Sequence, residues 1–255
     1  MRKEYFSSLE EIYGFTGNWE PSDGVQVGDW TDVEYGFLPW LKETVGITTK
    51  GLEISKKLHG IVKGSLGQLD IKIKKKAPMF MSYNVSVEAG VSGGPVSIKA
   101  QKKGGFFAIF QDIYEESADP VSFRDRLNEL NKTSIAIVSG VTRVKKGILV
   151  IFSHNAASIS LPINFSLDAI QNDPAAINLD FALSYQSEGI LAFQAEPQKQ
   201  LFPFVKIHIA EREKQSRFDG SFVREGIREG NSSCSENDYA IEPFSYTKFL
   251  KSCNL

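Results

Sequence analysis

Cysteine and histidine are scarce in this sequence, and their scarcity excludes several classes of protein. The 2 cysteines, Cys234 and Cys253, both lie near the end of the sequence, so we expect free thiols in a reducing compartment rather than a disulfide framework. The 3 histidines have no second His or Cys at the spacing of a zinc site. Carboxylate ligands would leave no linear signature, but the sequence predicts neither a metal nor another cofactor.

Long apolar runs are also missing. No run approaches the roughly 18 to 20 apolar residues that a membrane-spanning helix needs. Residues 1–15 carry early basic side chains but no apolar core, so we expect no secretory signal. These absences predict a cytoplasmic protein, with recruitment to a membrane surface left open.

Motifs for catalysis are weak. Gly64-Ser65-Leu66-Gly67 has the wrong spacing for a nucleophile elbow. His154, between Ser153 and Asn155 at the end of a predicted strand, is the weak candidate for acid–base chemistry. The other interpretation places His154 and Asn155 in a turn between two strands. A hydrolase centred on His154, with Asp168, Asp173 or Asp180 as partner, is therefore an alternative that His154→Ala tests by loss of activity.

What the sequence does contain is a β-rich core. Hydrophobic residues make up 42% and include 18 Phe, which suits a globular domain with an aromatic core. Residues 134–161 hold three apolar segments. We interpret Ser134–Val144 and Ile148–Phe152 as an antiparallel hairpin turning at Lys145-Lys146-Gly147, and Ala157–Leu161 as a third strand.

Further strands and helices surround this centre. Period-two alternation predicts additional strands, at Ile177–Tyr185, Ile190–Ala195 and Phe202–Ala210, with Pro203 favouring an edge position for the last. Capping and apolar patterns predict three short helical segments. The first runs from Ser7 or Ser8 to Gly14, and the second begins at Pro120 and buries Phe123, Leu127 and Leu130. The third is a helical turn at Ser166–Gln171.

These elements predict a β-dominated α+β fold. Most connections are too short for parallel crossovers, so we expect a largely antiparallel twisted sheet with a few short helices. We assign residues 1–210 to a single β-rich domain and residues 211–255 to a linker and a flexible C-terminal tail. The linker covers about Glu211–Asp238, after which the tail can dock through Phe244, Tyr246, Phe249 and Leu250.

Charge is distributed unevenly. Residues 1–49 are acidic, whereas residues 50–103 hold eleven lysines against three acidic residues and no Arg. Three predicted amphipathic strands lie in this second segment, at 69–74, 79–88 and 96–101. We expect their polar faces to bind an anionic partner through Lys63, Lys72, Lys74, Lys75, Lys76, Lys99, Lys102 and Lys103.

The preferred interpretation is a non-catalytic intracellular interaction module whose Lys-rich β surface meets lipid head groups or an acidic protein. Nucleic acid is less favoured, because Lys without Arg cannot read guanine or phosphate in a bidentate manner. The layout of amphipathic strands, acidic cover and separable tail is similar in outline to that of gasdermin-type pore-forming proteins, which implies a latent membrane-active effector. No family motif is matched, so no residue role is transferred.

Two further interpretations stay open, and so does the oligomeric state. The lysines can simply keep exposed strands soluble and unpaired. The many Phe residues also suit a small-ligand binder with an aromatic-lined β cavity, which a metabolite would stabilise against heat.

Overall fold

Antiparallel strands make up most of the structure, with a few short helices between them. This confirms the fold class that the sequence predicts. The structure is a computed structural model that describes residues 2–18, 21–22, 24–32, 64–67, 69–88, 95–123, 126–127, 130, 134–162, 167–180, 189–196, 198–212 and 239–245.

The strands of these residues are numbered along the chain. They are β1 (Thr16–Gly17), β2 (Asp29–Asp32), β3 (Gly64–Ser65), β4 (Lys72–Lys76), β5 (Met79–Tyr83), β6 (Val85–Glu88), β7 (Val96–Ala100), β8 (Phe106–Ser117), β9 (Ser134–Phe152), β10 (Ser158–Leu161), β11 (Ile190–Ala195), β12 (Leu201–Arg212) and β13 (Tyr239–Pro243). The helical segments are α1 (Arg2–Ser8) with its π-helical continuation Leu9–Tyr13, a helix at Leu167–Asn172, and 3₁₀ turns at Pro120–Phe123 and Pro174–Ala176.

A ten-stranded sheet is organised around β9. β9 pairs with β8 and β2 along one edge and with β11 and β12 along the other. β8 carries β4 and β5 on its far side, and β12 carries β1 and β13. A separate three-stranded sheet has the order β10-β7-β6. All of these pairings are antiparallel.

The predicted central hairpin is wrong, because β9 is one continuous strand of 19 residues. Gly147 pairs with Phe110 of β8 and with Ala195 of β11, so it lies inside the sheet rather than in a turn. A Cβ atom at Gly147 would lie 2.7 Å from the carbonyl oxygen of Ile109. The glycine therefore permits a close backbone approach, and the sequence pattern does not distinguish this role from that of a turn glycine.

β8 and β9 change the direction of their side chains together. Phe106, Ala108 and Phe110 of β8 face the core beneath α1, and after Asp112, whose φ is 47°, Ile113 faces the same core. On β9 the residues that face this core are Ile151 and Leu149 and then Val144, so they change from odd to even numbers along the strand. The pairing register is unbroken. As a result, the side chains of Glu115 in β8 and of its partner Thr142 in β9 lie on the same face of the sheet as the residues that α1 covers.

The N-terminal helix covers one face of the sheet. Tyr5, Phe6 and Leu9 are buried against Phe106 and other residues of β8 and β9. The predicted helix end at Gly14 is confirmed by its left-handed φ of 68°. The predicted start is wrong, since Ser8 lies within the helix and donates a hydrogen bond to the Glu4 carbonyl.

The small sheet packs on the opposite face. Val96, Ile98 and Leu161 are buried there against Ile148 and Phe152 of β9. Two strand predictions change as a consequence. The 79–88 strand breaks at Asn84, whose φ is 50°, so that β5 joins the large sheet and β6 the small one. The strand at 158–161 pairs with β7 and not with the centre.

The other half of the large sheet has its own core, which includes Trp30, Leu66, Ile137 and Val141. The apolar helix face predicted after Pro120 contributes to this core, with Phe123 and Leu127 fully buried and Leu130 packed against it.

The prediction that Pro203 marks an edge is wrong. β12 has β9 on one side and β1 and β13 on the other, and its register with β9 shifts between Leu201 and Phe204. Pro203 lies in this irregularity, where its missing N–H costs no ladder bond. Its carbonyl accepts a hydrogen bond from the Asn18 backbone N–H.

Part of the C-terminal segment joins the sheet. β13 pairs with β12, and Phe244, as predicted, packs against the core, where its N–H donates to the Ile207 carbonyl at 2.9 Å. The predicted strand at 190–195 is confirmed as β11. Residues 177–180 are not a strand, although Ile177 and Leu179 are buried. Of the linker predicted at about Glu211–Asp238, Glu211 and Arg212 belong to β12. Its residues 213–238 lie outside the described residues, as do the predictions for 181–185, Tyr246, Phe249, Leu250, Cys234 and Cys253.

Candidate anion-binding site

The lysines expected to bind an anionic partner fall into two groups in the fold. Those on β4 are Lys72, Lys74, Lys75 and Lys76. Those of the small sheet and its following turn are Lys99, Lys102 and Lys103. Lys63 lies outside the described residues. The structure therefore does not unite all of them in a single face, and β4 holds the larger group.

β4 is an edge strand. It pairs with β8, and no other strand of the described chain pairs with it. Lys72 lies opposite Ser117 and Lys74 opposite Glu115. Because side chains alternate along a strand, Lys72, Lys74 and Lys76 share one face and Lys75 points to the other. We call the segment Ile71–Lys76 the β4 edge.

Glu115 neutralises part of this face. Its Oε2 lies 2.6 Å from Lys76 Nζ, and its Oε1 lies 2.5 Å from the Nζ of Lys206, which comes from β12. The hydrogen bonds from Lys206 and then Lys76 lower the pKa of Glu115. The Lys206 stem lies over Gly140, where a Cβ atom would be 3.1 Å from Lys206 Cδ. The glycine therefore leaves room for the lysine to reach the carboxylate.

Two other lysines have weak partners. Lys75 Nζ is 3.5 Å from Asp112 and Lys103 Nζ is 3.8 Å from Glu4, with all four side chains well exposed. Exposed pairs of this kind contribute about 0–1 kcal/mol. Lys72 and Lys74 form no ion pair with any residue that the structure describes. Their ammonium groups are exposed on the β4 edge.

Isoleucine side chains that alternate with these lysines are also exposed, on the opposite face of the strand. Ile71 is 41% and Ile73 is 62% exposed. The alternation at 69–74 predicts that Leu69, Ile71 and Ile73 form a core-facing side, and this is wrong for the two isoleucines, because β4 extends beyond the cores on either face of the sheet. Leu69 is partly buried against the core that contains Trp30 and Leu66. The β4 edge is therefore both cationic and apolar.

A cavity of about 490 Å³ lies next to this face. Its apolar wall includes Phe15, Phe204, Phe244 and Met79, and the rings of Phe15 and Phe204 stack at 4.4 Å. Charged groups also line it, namely Lys76, Glu115, Lys206 and Glu10. Because Phe204, Lys206 and Phe244 lie more than a hundred residues beyond the Lys-rich segment, the sequence pattern does not reveal the cavity.

His208 also lines the cavity and contacts a serine. Its Nδ1 is 2.7 Å from Ser139 Oγ, which donates to the Lys206 carbonyl at 3.3 Å. The direction of the His208–Ser139 bond is set by the tautomer of the ring. Burial and then the Lys206 charge lower the pKa of His208, so the ring is neutral near pH 7. The pair lies at an irregularity between β9 and β12, where Ser139 is buried.

His154 lies in an exposed turn after β9. Its Nδ1 is 3.0 Å from Ser153 Oγ, and its ring packs against Gly189. The residue with left-handed φ in this turn is Ala156, at 64°, rather than Asn155. Asp180 forms an ion pair with Lys146, at 2.9 Å. Among the described side chains no carboxylate contacts His154, and the side chain of Asp168 lies outside them.

The structure gives two further observations, and comparison with known proteins gives one more. In the part of the chain that it describes, no group of three or more His, Cys, Asp and Glu is arranged to hold a metal ion. No helix within the same residues has the length and apolarity to cross a membrane. No protein-family model matches the chain, and no curated protein matches it.

Proposed function

We propose that this protein is a non-catalytic binding module that attaches its β4 edge to an anionic lipid surface. The observation that carries the proposal is the combination on one edge strand of Lys72 and Lys74, which form no ion pair with described residues, with the exposed side chains of Ile71 and Ile73.

The two kinds of side chain favour a membrane interface over other anionic partners. Ammonium groups are attracted to acidic head groups. When the edge strand itself meets the membrane, the apolar side chains on its other face enter the boundary between head groups and acyl chains. An acidic protein would satisfy the charges but has no need of an exposed isoleucine. Lys without Arg also disfavours partners that require a planar, bidentate donor.

The expected affinity is weak and reversible. Lys72, Lys74 and Lys75 contribute about 1 kcal/mol each near an anionic membrane. Burial of the exposed parts of Ile71 and Ile73 adds roughly 1–2 kcal/mol. The total of about 4–5 kcal/mol corresponds to binding near the millimolar range, which would recruit the protein without anchoring it.

Sedimentation with lipid vesicles tests the proposal. The protein should sediment with vesicles that contain phosphatidylserine and remain in solution with pure phosphatidylcholine. The double variant Lys72→Gln, Lys74→Gln should lose this binding. The matched control is Lys99→Gln, Lys102→Gln, which removes the same charge from the small sheet and its turn and should bind as the unaltered protein does. Binding to polyglutamate without binding to vesicles would instead support an acidic protein partner.

A further inference from the structure

The cavity beside the β4 edge is lined by both apolar and charged side chains. Phe15, Phe204 and Phe244 provide an apolar wall, and Lys76 and Lys206 lie at its charged side. Its volume of about 490 Å³ lies within the range of about 300–1,000 Å³ that is common for sites of small molecules.

The charged side has spare hydrogen-bond donors. Lys76 and Lys206 each give one bond to Glu115, one to each carboxylate oxygen. An ammonium group has three donors, so each lysine retains donors for a second acceptor. Two cations share a single carboxylate here, which leaves one positive charge without a counter-charge in this cluster.

The other titratable groups that line the cavity limit the charge of a ligand. Glu10 adds a carboxylate to the lining, and His208 is uncharged near pH 7 because burial and the neighbouring Lys206 lower its pKa. With Glu10 the lining holds two lysines and two carboxylates, so its formal charges sum to zero. The spare donors of the two lysines would hold one carboxylate of a ligand, whereas a ligand with more negative charges would be repelled by Glu10 and Glu115.

We propose that this cavity binds a medium-chain carboxylic acid, with the carboxylate at Lys76 and Lys206 and the alkyl chain against Phe15, Phe204 and Phe244. Lys76, the last residue of the β4 edge, also lines this cavity, but the inference does not depend on membrane attachment through Ile71, Lys72, Ile73 and Lys74.

Calorimetric titration of the full chain with decanoate tests this inference, with decanol as the matched ligand that lacks the charge. Decanoate should bind saturably with a Kd below about 1 mM, and decanol should bind about tenfold or more weakly, because it loses the charge-assisted hydrogen bonds. Absence of saturable binding, or equal binding of decanol, would overturn the proposal.

Two charge variants change the affinity in opposite directions if the proposal is correct. Lys206→Met should weaken decanoate binding about tenfold, because it removes one charge-assisted bond. Glu115→Gln should strengthen it, because it removes the competing carboxylate. Lys99→Met is the matched control and should bind as the unaltered protein does. A purely structural role for the cluster would not give opposite signs, so unchanged or parallel effects in the two variants would refute the assignment.

The test also separates this site from the membrane proposal. Thr142, the cross-strand partner of Glu115, also lines the cavity. Thr142→Trp should fill the cavity and abolish decanoate binding while vesicle binding persists. Lys72→Gln, Lys74→Gln should have the reverse effect. Decanoate binding that survives Thr142→Trp in a folded protein, verified by circular dichroism, would place the ligand elsewhere and contradict the proposal.

Discussion

Replacement of Glu115 by Gln should destabilise the protein in a manner that depends on pH. Glu115 accepts a bond from Lys76 at 2.6 Å and from Lys206 at 2.5 Å. A buried charge-assisted bond contributes about 1.5–3 kcal/mol. The two lysine side chains are 41% and 60% exposed and regain water when released, so each bond is reduced to about 0.5–1 kcal/mol. We therefore expect Glu115→Gln to lower the free energy of unfolding by about 1–2 kcal/mol at neutral pH.

The sign of the pH effect follows from the direction of the pKa shift. Both lysines lower the pKa of Glu115 below its usual value of 4.5, so the folded state holds the proton less tightly than the unfolded state. The stabilisation is complete above that usual pKa and is lost as pH falls through the folded pKa. The difference between the unaltered protein and Glu115→Gln should therefore be full at neutral pH and shrink in acid.

Urea unfolding of both proteins across this pH range measures the difference. Glu88→Gln is the control, since Glu88 is exposed and forms no ion pair with the described residues. Its difference from the unaltered protein should stay within about 0.5 kcal/mol. A Glu115→Gln difference that is absent at neutral pH, or that persists unchanged in strong acid, would refute the ion-pair assignment.

Substitutions at three further positions, Gly147, Asp112 and Ile73, test the fold and the β4 edge. Gly147→Ala should cost about 2 kcal/mol or more in urea unfolding, because its Cβ would meet the Ile109 carbonyl, whereas Gly24→Ala, with open space around it, should be nearly neutral. Asp112→Gly should raise the free energy of unfolding by about 1 kcal/mol, because φ at this position is 47° and glycine adopts that value without strain. Asp112→Val should lower the free energy of unfolding. The opposite order of the two variants would contradict the left-handed conformation. Ile73→Ser should change the melting temperature little, because Ile73 is 62% exposed, and should still weaken vesicle binding.

The sequence predicts the architecture because periodicity reports burial. The β7, β11 and β12 strands alternate or run apolar as expected, and the short helices end or pack where glycine and apolar spacing indicate. Prediction from the sequence fails where the same type of residue can serve two structural purposes. Gly147 serves close packing and not a turn, and Asn84 divides one alternating segment between two sheets. These outcomes depend on partner strands far away in sequence.

The candidate site is only partly predictable for the same reason. Charge counting identifies the lysines of β4, but it groups them with Lys99 and Lys102, which lie on and just after a strand of the other sheet. Charge counting does not identify Lys206, because this residue belongs to a mostly apolar strand. Ion pairing with Glu115 is set by cross-strand neighbours, which no local pattern reports.

Vesicle binding as a function of salt tests the central claim most directly. The claim is that the β4 edge, with Lys72, Lys74 and Ile73, attaches to an anionic lipid surface. Binding to vesicles with roughly one-third phosphatidylserine should weaken as salt shortens the Debye length to below about 10 Å, and Lys72→Gln, Lys74→Gln should remove most of that salt-dependent binding. Equal binding of this variant and the unaltered protein at low salt would contradict the account.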